Sequence, residues 1–516
     1  MKKIISRLLV IITIFSTINL QAEGRRTDAD VDTIKSRIGD PTATSPVITD
    51  VSTGIASILN SVGSDNTIAG GTTATARSVA SAGTYALGDD LTTSAAVNAI
   101  EITASGVVVD LRGHTVDGDS TGTNGITIAN SLSNITIKNG RITNFDTDLI
   151  DIGTGCSNIT LEDIEIDGET NSVIGIDVGA GGSNITLRNV FITRTTDDAI
   201  EFGTAAGSSM TDSLFENVHI TSCTGTEVID LNECIKIKMV NCRINDNSST
   251  ASQIAISLDT VTQSYFKDVQ IISNAASPAG AFTGFDLTTA TACVENLFEG
   301  CSIRSNSATG GDFTGFKIDT SSLDNVFKNC DVIANTSDFA TYGFHTLGTD
   351  ANNRNNARNT FISCLAHKNT STGAATNAFG FRFLNSDDNH CIRCIASDNQ
   401  ASGTTGAARG FEIKDSKYCT VEECSSVRNV NTSTTNPSVR SFGYHQDPTS
   451  AGSTSGATGL NVFIKNIALA NGTGATGIVS IGSQYSGFDE TQVSVDGINT
   501  DLGGAWHNVA LTGNIV

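Results

Sequence analysis

Basic side chains, proline and tryptophan are scarce in this chain. Its 516 residues include 31 lysines plus arginines against 54 acidic residues, and only 5 prolines and 1 tryptophan. A formal charge of −23 argues against nucleic acid and anionic membranes as partners. It also makes a polyanionic glycan an awkward ligand unless a cation mediates. Beyond the first residues no apolar run approaches the roughly 18 residues of a membrane-spanning helix, so no span is expected. The seven histidines never fall at ligand spacing on one strand, which gives no sign of zinc. Aromatics are 6% of the chain, whereas glycines number 50, a balance that suits many short strands joined by tight turns.

The start, "MKKIISRLLVIITIFSTINLQAEG", has a basic opening (Lys2, Lys3, Arg7), an apolar run from Leu8 to Phe15 and a cleavage position after Ala22. Residues 1–22 therefore read as a secretory signal, and a secreted or cell-surface location is expected. Its removal would take away three positive charges and move the formal charge from −23 to −26. Within residues 23–63, Val31, Ile34 and Ile38, then Ile48, Val51, Ile55, Ile58 and Val62, fall at helical spacing. They predict a short helical lead-in or cap, with a monomer or a trimer both open. Residues 64–95, rich in Gly, Ser, Thr and Ala, read as a linker, residues 96–480 as the body, and 481–516 as a C-terminal cap holding Trp506.

Two phrases alternate through the body with a period of roughly 24 to 34 residues. One has the form "NITLEDIEI", "LFENVHI", "VFKNCDV"; the other is a short strand, "LIDI", "GIDV", "AIEF", "VIDL", later "GFDL", "GFKI", "GFRF". Together they predict an all-β solenoid of about 11 or 12 coils, three strands to each. In "VFKNCDV", Phe327 and Cys330 cannot both point inward on one continuous strand, because side chains alternate. A corner at Lys328-Asn329 resolves this, and its second residue runs Asn139, Asp163, Asn189, Asn217, Asn241, Asp268, Gly300, Asn329. These types tolerate the left-handed backbone of a sharp bend.

The residue after the corner forms an inward column that includes Val190, Val218, Cys242, Val269, Cys301, Cys330, Cys364, Cys394 and Cys424. Thiols among valines behave as small hydrophobes, so free buried cysteines are expected, and the Cys391–Cys394 spacing reads as structural. A second column, Asn247, Asn274, Asn306, Asn335, Asn369, Asn399 and Asn429, reads as stacked amides closing each phrase. A third changes from isoleucine (Ile126 to Ile256) to aromatic (Phe285, Phe316, Phe344, Phe381, Phe411, Tyr444).

The repeated Asn-Ile-Thr strands, the Asn columns and the opening "VVVDLRGHTVDG" resemble the right-handed parallel β-helix proteins of the pectate lyase and polygalacturonase superfamily, over roughly residues 100–480. The resemblance implies that fold and a carbohydrate-associated role. "TTDDAIEFG" (195–203) resembles the paired-aspartate motif of polygalacturonase-type glycosidases, and "DTDLIDIG" (146–153) their Asn-Thr-Asp motif. Carried over, Asp148, Asp197 and Asp198 would be the carboxyl groups that protonate the leaving oxygen and activate water. Two departures stand beside this. Asp148 and Asp198 lie two coils apart rather than on adjacent ones, and the family's Gly-His-Gly and Arg-x-Lys have no counterparts.

With the isoleucines inward, Asp151, Asp177, Glu201 and Asp230 should face solvent from consecutive rungs, with Glu227 beside them. The four column acids invite a cation such as calcium, and all five are candidates for binding a polysaccharide or cell-surface glycan. The column continues through Ser257, Asp286, Lys317, His345, Arg382, Glu412 and His445, where His345 and His445 read as surface residues. Two functions remain open: binding, and cleavage or modification, of a polysaccharide, or a non-catalytic adhesin-like scaffold.

Overall fold

The computed structural model describes residues 66–432, interrupted at 170–173, 204–208, 289–291, 320–321, 349–354 and 375, and then 441–447, 461–469, 471–473 and 485–486. The expected signal, the helical lead-in and nearly all of the expected cap lie outside the described residues. Two compact units divide the chain at Asn66, and the described residues fall almost wholly in the second, Thr67–Val516. No helix among them is long and apolar enough to cross a membrane.

The second unit is an all-β, right-handed parallel solenoid of about 12 turns. One face of each turn, here called face 1, is the short strand of the second phrase. Its strands stack in parallel register from Ile126–Ile128 through Asp148–Ile152 and Ile174–Val178 to Phe442–Asp447. Arg77–Val79 and Ile100–Ile102 precede these on the same sheet. The other two faces are the arms of the first phrase on either side of its corner. Three early turns make them as single bent strands, such as Ser157–Asp167. Later turns split them into pairs such as Val326–Lys328 and Asp331–Ile333.

The corner residues adopt the left-handed conformation expected of them, with φ of 60° at Asn139, 54° at Asp163 and 53° at Asn329. The same conformation persists at Ser363, Arg393 and Glu423, which have no glycine or asparagine to ease it. Here stacking on neighbouring rungs overrides local preference. All twelve cysteines are free and buried, six of them in the column behind the corner. The thiol of Cys330 donates to the carbonyl of Phe298 at 3.4 Å and that of Cys364 to Phe327 at 3.3 Å, one rung back. Burial pushes the Cys242 thiol up to about 11 and the Cys419 thiol to about 12, so both stay protonated.

Two aromatic stacks fill the later turns. Phe285, Phe316 and Phe344 lie 5.1 and 5.0 Å apart with nearly parallel rings, and meet the Phe298–Phe327–Phe361 stack edge to face. Fully burying each ring contributes about 1.5 to 3 kcal/mol. The asparagine column is a continuous ladder: Asn335 Nδ2 donates to Asn369 Oδ1 at 3.0 Å and to the Ile303 carbonyl at 3.1 Å. A second ladder, Asn296–Asn325–Asn359, holds another corner with amide bonds of 3.0 and 3.1 Å. Sequence reasoning missed it, although "ENLF", "DNVF" and "RNTF" repeat the asparagine two residues before each inward phenylalanine.

The linker expected at 64–95 is a correction. Residues 66–93 form the strands Asn66–Ile68, Gly71–Thr73, Arg77–Val79, Gly83–Leu87 and Leu91–Thr93, and Gly83–Leu87 pairs with Val107–Asp110. Ile68, Val79, Leu87 and Leu91 are buried, and one apolar anchor per short strand suffices when the next rung supplies the rest of the core. Their threonines suit a strand as well as a loop. At the other end Tyr485–Ser486, inside the stretch expected as a cap, pairs with Tyr444 and His445.

Candidate functional site: the acidic end of face 1

Each strand of face 1 turns two consecutive residues inward, so residues three apart both emerge outward. The first inward residue must be small or fit against the neighbouring backbone. At Gly343 an added Cβ would lie 2.5 Å from the Gly380 carbonyl oxygen, and at the acidic end Gly175 and Ala199 hold the same position. Two outward columns result. One runs Asp151, Asp177, Glu201, Asp230, Ser257 in the register expected. The other, three residues earlier on each strand, runs Asp148, Ile174, Asp198, Glu227, Ile254.

Seven acidic side chains thus share four successive turns with no basic residue in either column. They are not solvated acids on an open face: Asp148 is 8% and Asp198 9% exposed, and the other five are half-buried, while Asp197 alone of the candidates is exposed. Like charges one rung apart, about 4.8 Å, repel by about 3 to 4 kcal/mol at an effective dielectric of 20. Burial is accordingly the largest influence, and neighbouring carboxylates add to it. Asp148 is pushed up to about 7 by burial, then by Asp151 and Glu201. Asp177 reaches about 7 by burial, then Asp148 and Glu201, and one of its oxygens is buried without a partner. Asp198 reaches about 8 by burial, then Asp197, Glu227 and Asp230. Glu227 reaches about 7 by burial, then Asp230, against a hydrogen bond from Ser257. Asp151, Glu201 and Asp230 are raised as well, chiefly by burial, although Asn124 donates to Asp151 at 3.3 Å and Asn232 to Asp230 at 2.6 Å.

One group of oxygens converges as cation ligands do. Carboxylate oxygens of Asp198, Glu227 and Asp230 all lie within 4.8 Å of one another. Of the set expected to hold a cation, Asp151, Asp177, Glu201 and Asp230, only Asp230 belongs to this group. Among the described residues ligands gather across the two columns, on residues three apart plus one from the preceding rung, and not along a single column. A hard cation would take such an all-carboxylate set.

The structure also keeps Asp148 and Asp198 two rungs apart, with Ile174 in register between them. His345 is a second correction. It stands on the outward column but is 7% exposed, and burial, then the charges of Arg382 and Lys317, push it down to about 3, so it is neutral. His445 is half-buried with Nδ1 3.1 Å from Glu412 Oε1. Neither is a free surface group, because side chains from adjoining rungs pack over this part of the face.

No protein-family model matches the chain, and no curated protein sequence matches it. Solved structures give remote likenesses. The mannuronan C-5 epimerase AlgE4 A-module of Azotobacter vinelandii is 13% identical, with 90% of this chain and 99% of that one covered and a TM-score of 0.36. The catalytic domain of a GH87 alpha-1,3-glucanase is 11% identical over 84% and 64%, with a TM-score of 0.27. PfbA, a surface adhesin of Streptococcus pneumoniae, is 11% identical over 76% and 90%, with a TM-score of 0.26. An epimerase, a glucanase and an adhesin at such scores assign no activity to this chain.

Proposed function

We propose that the chain is an exported solenoid that binds, and chemically modifies, a polysaccharide laid along the acidic end of face 1. The observation that carries this is the crowding of seven buried or half-buried carboxyl groups on four successive turns, where burial and mutual charge raise Asp148, Asp177 and Glu227 to about 7 and Asp198 to about 8. A carboxylic acid that still holds its proton at working pH can donate it to a glycosidic oxygen, and an ionised neighbour can accept one from water. Asp148 is the proton donor in this reading and exposed Asp197 the group nearest solvent for activating water. Asp148 and Asp198 are two rungs, about 9.6 Å, apart along the stack. That is just past the roughly 6.5 to 9.5 Å that separates the carboxyl groups of inverting glycosidases, and Asp197, the water-activating group in this reading, directly precedes Asp198 in the chain. Asp198, Glu227 and Asp230 would hold calcium, which would draw the proton from Asp198 and screen the site for an acidic glycan.

The second reading, a non-catalytic scaffold, has its own observation: Ile174 occupies the rung between the two aspartates in the same column. The two readings separate in one experiment. The mature chain is incubated with plant, algal and bacterial polysaccharides, with and without calcium, following reducing ends and unsaturated uronate absorbance, with Asp198→Asn as control. Product that disappears in the variant supports the first reading. Silence across the panel from folded protein supports the scaffold.

A further inference from the structure

From three to seven rungs beyond Asp230, centred on Arg382 about 24 Å along the stack, the same two outward columns carry different chemistry. One runs Lys317, His345, Arg382, Glu412, His445. The other runs Tyr342, Phe379, Arg409, Phe442. Glu412, 1% exposed, accepts from Arg382 Nε at 2.8 Å and from Arg409, and faces His445. Two guanidinium groups thus meet one buried carboxylate, leaving a local positive excess in a chain whose formal charge is −23. Lys317, one turn before His345, is matched by Asp286 at 3.1 Å.

The guanidinium groups are held by rings. Tyr342 and Phe379 stack at 5.1 Å, the Arg382 guanidinium carbon lies 4.8 Å from the Phe379 centroid, and its Nη1 donates to Tyr342 Oη at 3.4 Å. Arg409 lies 5.4 Å from the Phe379 centroid. A guanidinium fixed in this way loses little further freedom when it binds a planar anion. An independent sign of a missing ligand is His345. It stacks on Tyr342 at 4.3 Å, and its Nε2 is buried with no hydrogen-bond partner. Such a group costs free energy until something satisfies it.

We infer that Arg382, Arg409, Tyr342 and His345 form a subsite for an oxyanion carried on a glycan, a carboxylate or a sulfate ester. The guanidinium groups supply charge and directed donors, His345 Nε2 a further polar contact, and the half-buried Tyr342 ring an apolar edge for the sugar. The inference rests on the polysaccharide reading and narrows it: the glycan bears anionic groups, met directly here and through a cation at the acidic end.

The test is titration calorimetry without calcium, using a glucuronate oligosaccharide, a sulfated oligosaccharide of the same length and a neutral gluco-oligosaccharide. The full mature chain is compared with Arg382→Gln, His345→Phe, Asp198→Asn and, as the control outside both sites, Lys238→Gln. One or both anionic ligands should bind at least tenfold more tightly than the neutral one, which tells carboxylate from sulfate. Arg382→Gln should weaken that binding at least tenfold and His345→Phe severalfold, while Lys238→Gln, which removes an exposed cation from another face, leaves it unchanged. If Arg382→Gln does not fold, Tyr342→Phe takes its place, with the same direction expected. Equal affinity for the neutral ligand, no binding of either anion, or full affinity in folded Arg382→Gln overturns the subsite. Binding lost in Asp198→Asn but kept in Arg382→Gln overturns the subsite and leaves the polysaccharide reading standing. Binding lost in Arg382→Gln, with no product from any polysaccharide, supports the subsite while the catalytic reading fails.

Discussion

The two ends of face 1 share one backbone geometry and treat their carboxyl groups in opposite ways. Around Asp198 no cation is in either column, and burial with like-charged neighbours raises the carboxyl to about 8. At Glu412 burial also raises the carboxyl, but the hydrogen bond to His445 and the charges of Arg409 and Arg382 outweigh it and bring it to about 2. The difference is therefore not the fold, which places residues three apart on every rung, but the charge found one rung away. The carboxyl group of one end is electrostatically complete, with guanidinium charge to spare, and those of the other are complete only with protons or a bound cation.

Breaking the complete end should have the largest effect. Glu412→Gln leaves Arg382 and Arg409 without their carboxylate in a mostly buried setting, and removing one partner from such a network costs about 3 to 5 kcal/mol. Urea unfolding should show the loss, and hydrogen exchange should place it on the turns from Tyr342 to Tyr444. A variant as stable as the parent would mean that the guanidinium groups are solvated without Glu412.

The pH dependence should run in opposite senses at the two ends. The folded-state pKa values at the acidic end are raised to about 7 or 8 from an unfolded value near 4, so their contribution is full below about 4 and is lost as pH rises through 7 to 8. For Glu412 the folded value is lowered to about 2, so its contribution is present above about 4.5 and lost as pH falls through 2. Between pH 8 and pH 5, without calcium, the turns around Asp198 should gain hydrogen-exchange protection while those around Glu412 stay level. Calcium should supply the same protection at pH 8. Equal behaviour of both ends would show that the acidic carboxyl groups are hydrated and unshifted.

Much of this face was legible in the sequence, and what was missed has a physical cause. The outward column from Asp151 to His445 follows from alternation and repeat alone, as do the left-handed corners, the buried thiols and the asparagine ladder from Asn247 to Asn429, which the structure extends to Asn471. The convergence of Glu227 and Asp230 with Asp198 was not legible. It depends on two consecutive inward residues at the strand entrance, a departure from strict alternation that leaves its mark as the glycine of the later Gly-Phe phrases and, at the acidic end, as Gly175 alone. Burial of Asp148 and His345 was missed for a related reason: alternation says which way a side chain leaves the sheet, not how far its neighbours cover it. The strands at 66–93 were hidden because a rung whose core is completed by the next rung needs only one large apolar residue.

A smaller change should sharpen the contrast. Asp198→Asn removes one charge from the crowded end and keeps its shape, so at pH 8 without calcium it should stabilise the chain by about 1 to 2 kcal/mol after screening. It should also abolish any stabilisation by calcium, since it removes one of the three converging carboxylates. Thermal unfolding with and without calcium checks both. Destabilisation at pH 8 would show that Asp198 already has a favourable partner.

The smallest effect is expected at Ser257, where the acidic column first meets a neutral residue. Its one hydroxyl proton is shared between Glu227 and Asp230, and Ser257 is the one group from the following rung that lowers both. Ser257→Ala should cost about 1 kcal/mol at pH 8, where Glu227, raised to about 7, is mostly ionised, and less at pH 5, where Glu227 holds its proton. The pH at which the cost appears would report the titration of the Glu227–Asp230 pair as a unit. A cost that does not change with pH would mean that Ser257 serves packing alone, and that the acidic cluster ends at Asp230 because no carboxylate follows it and not because a hydroxyl terminates it.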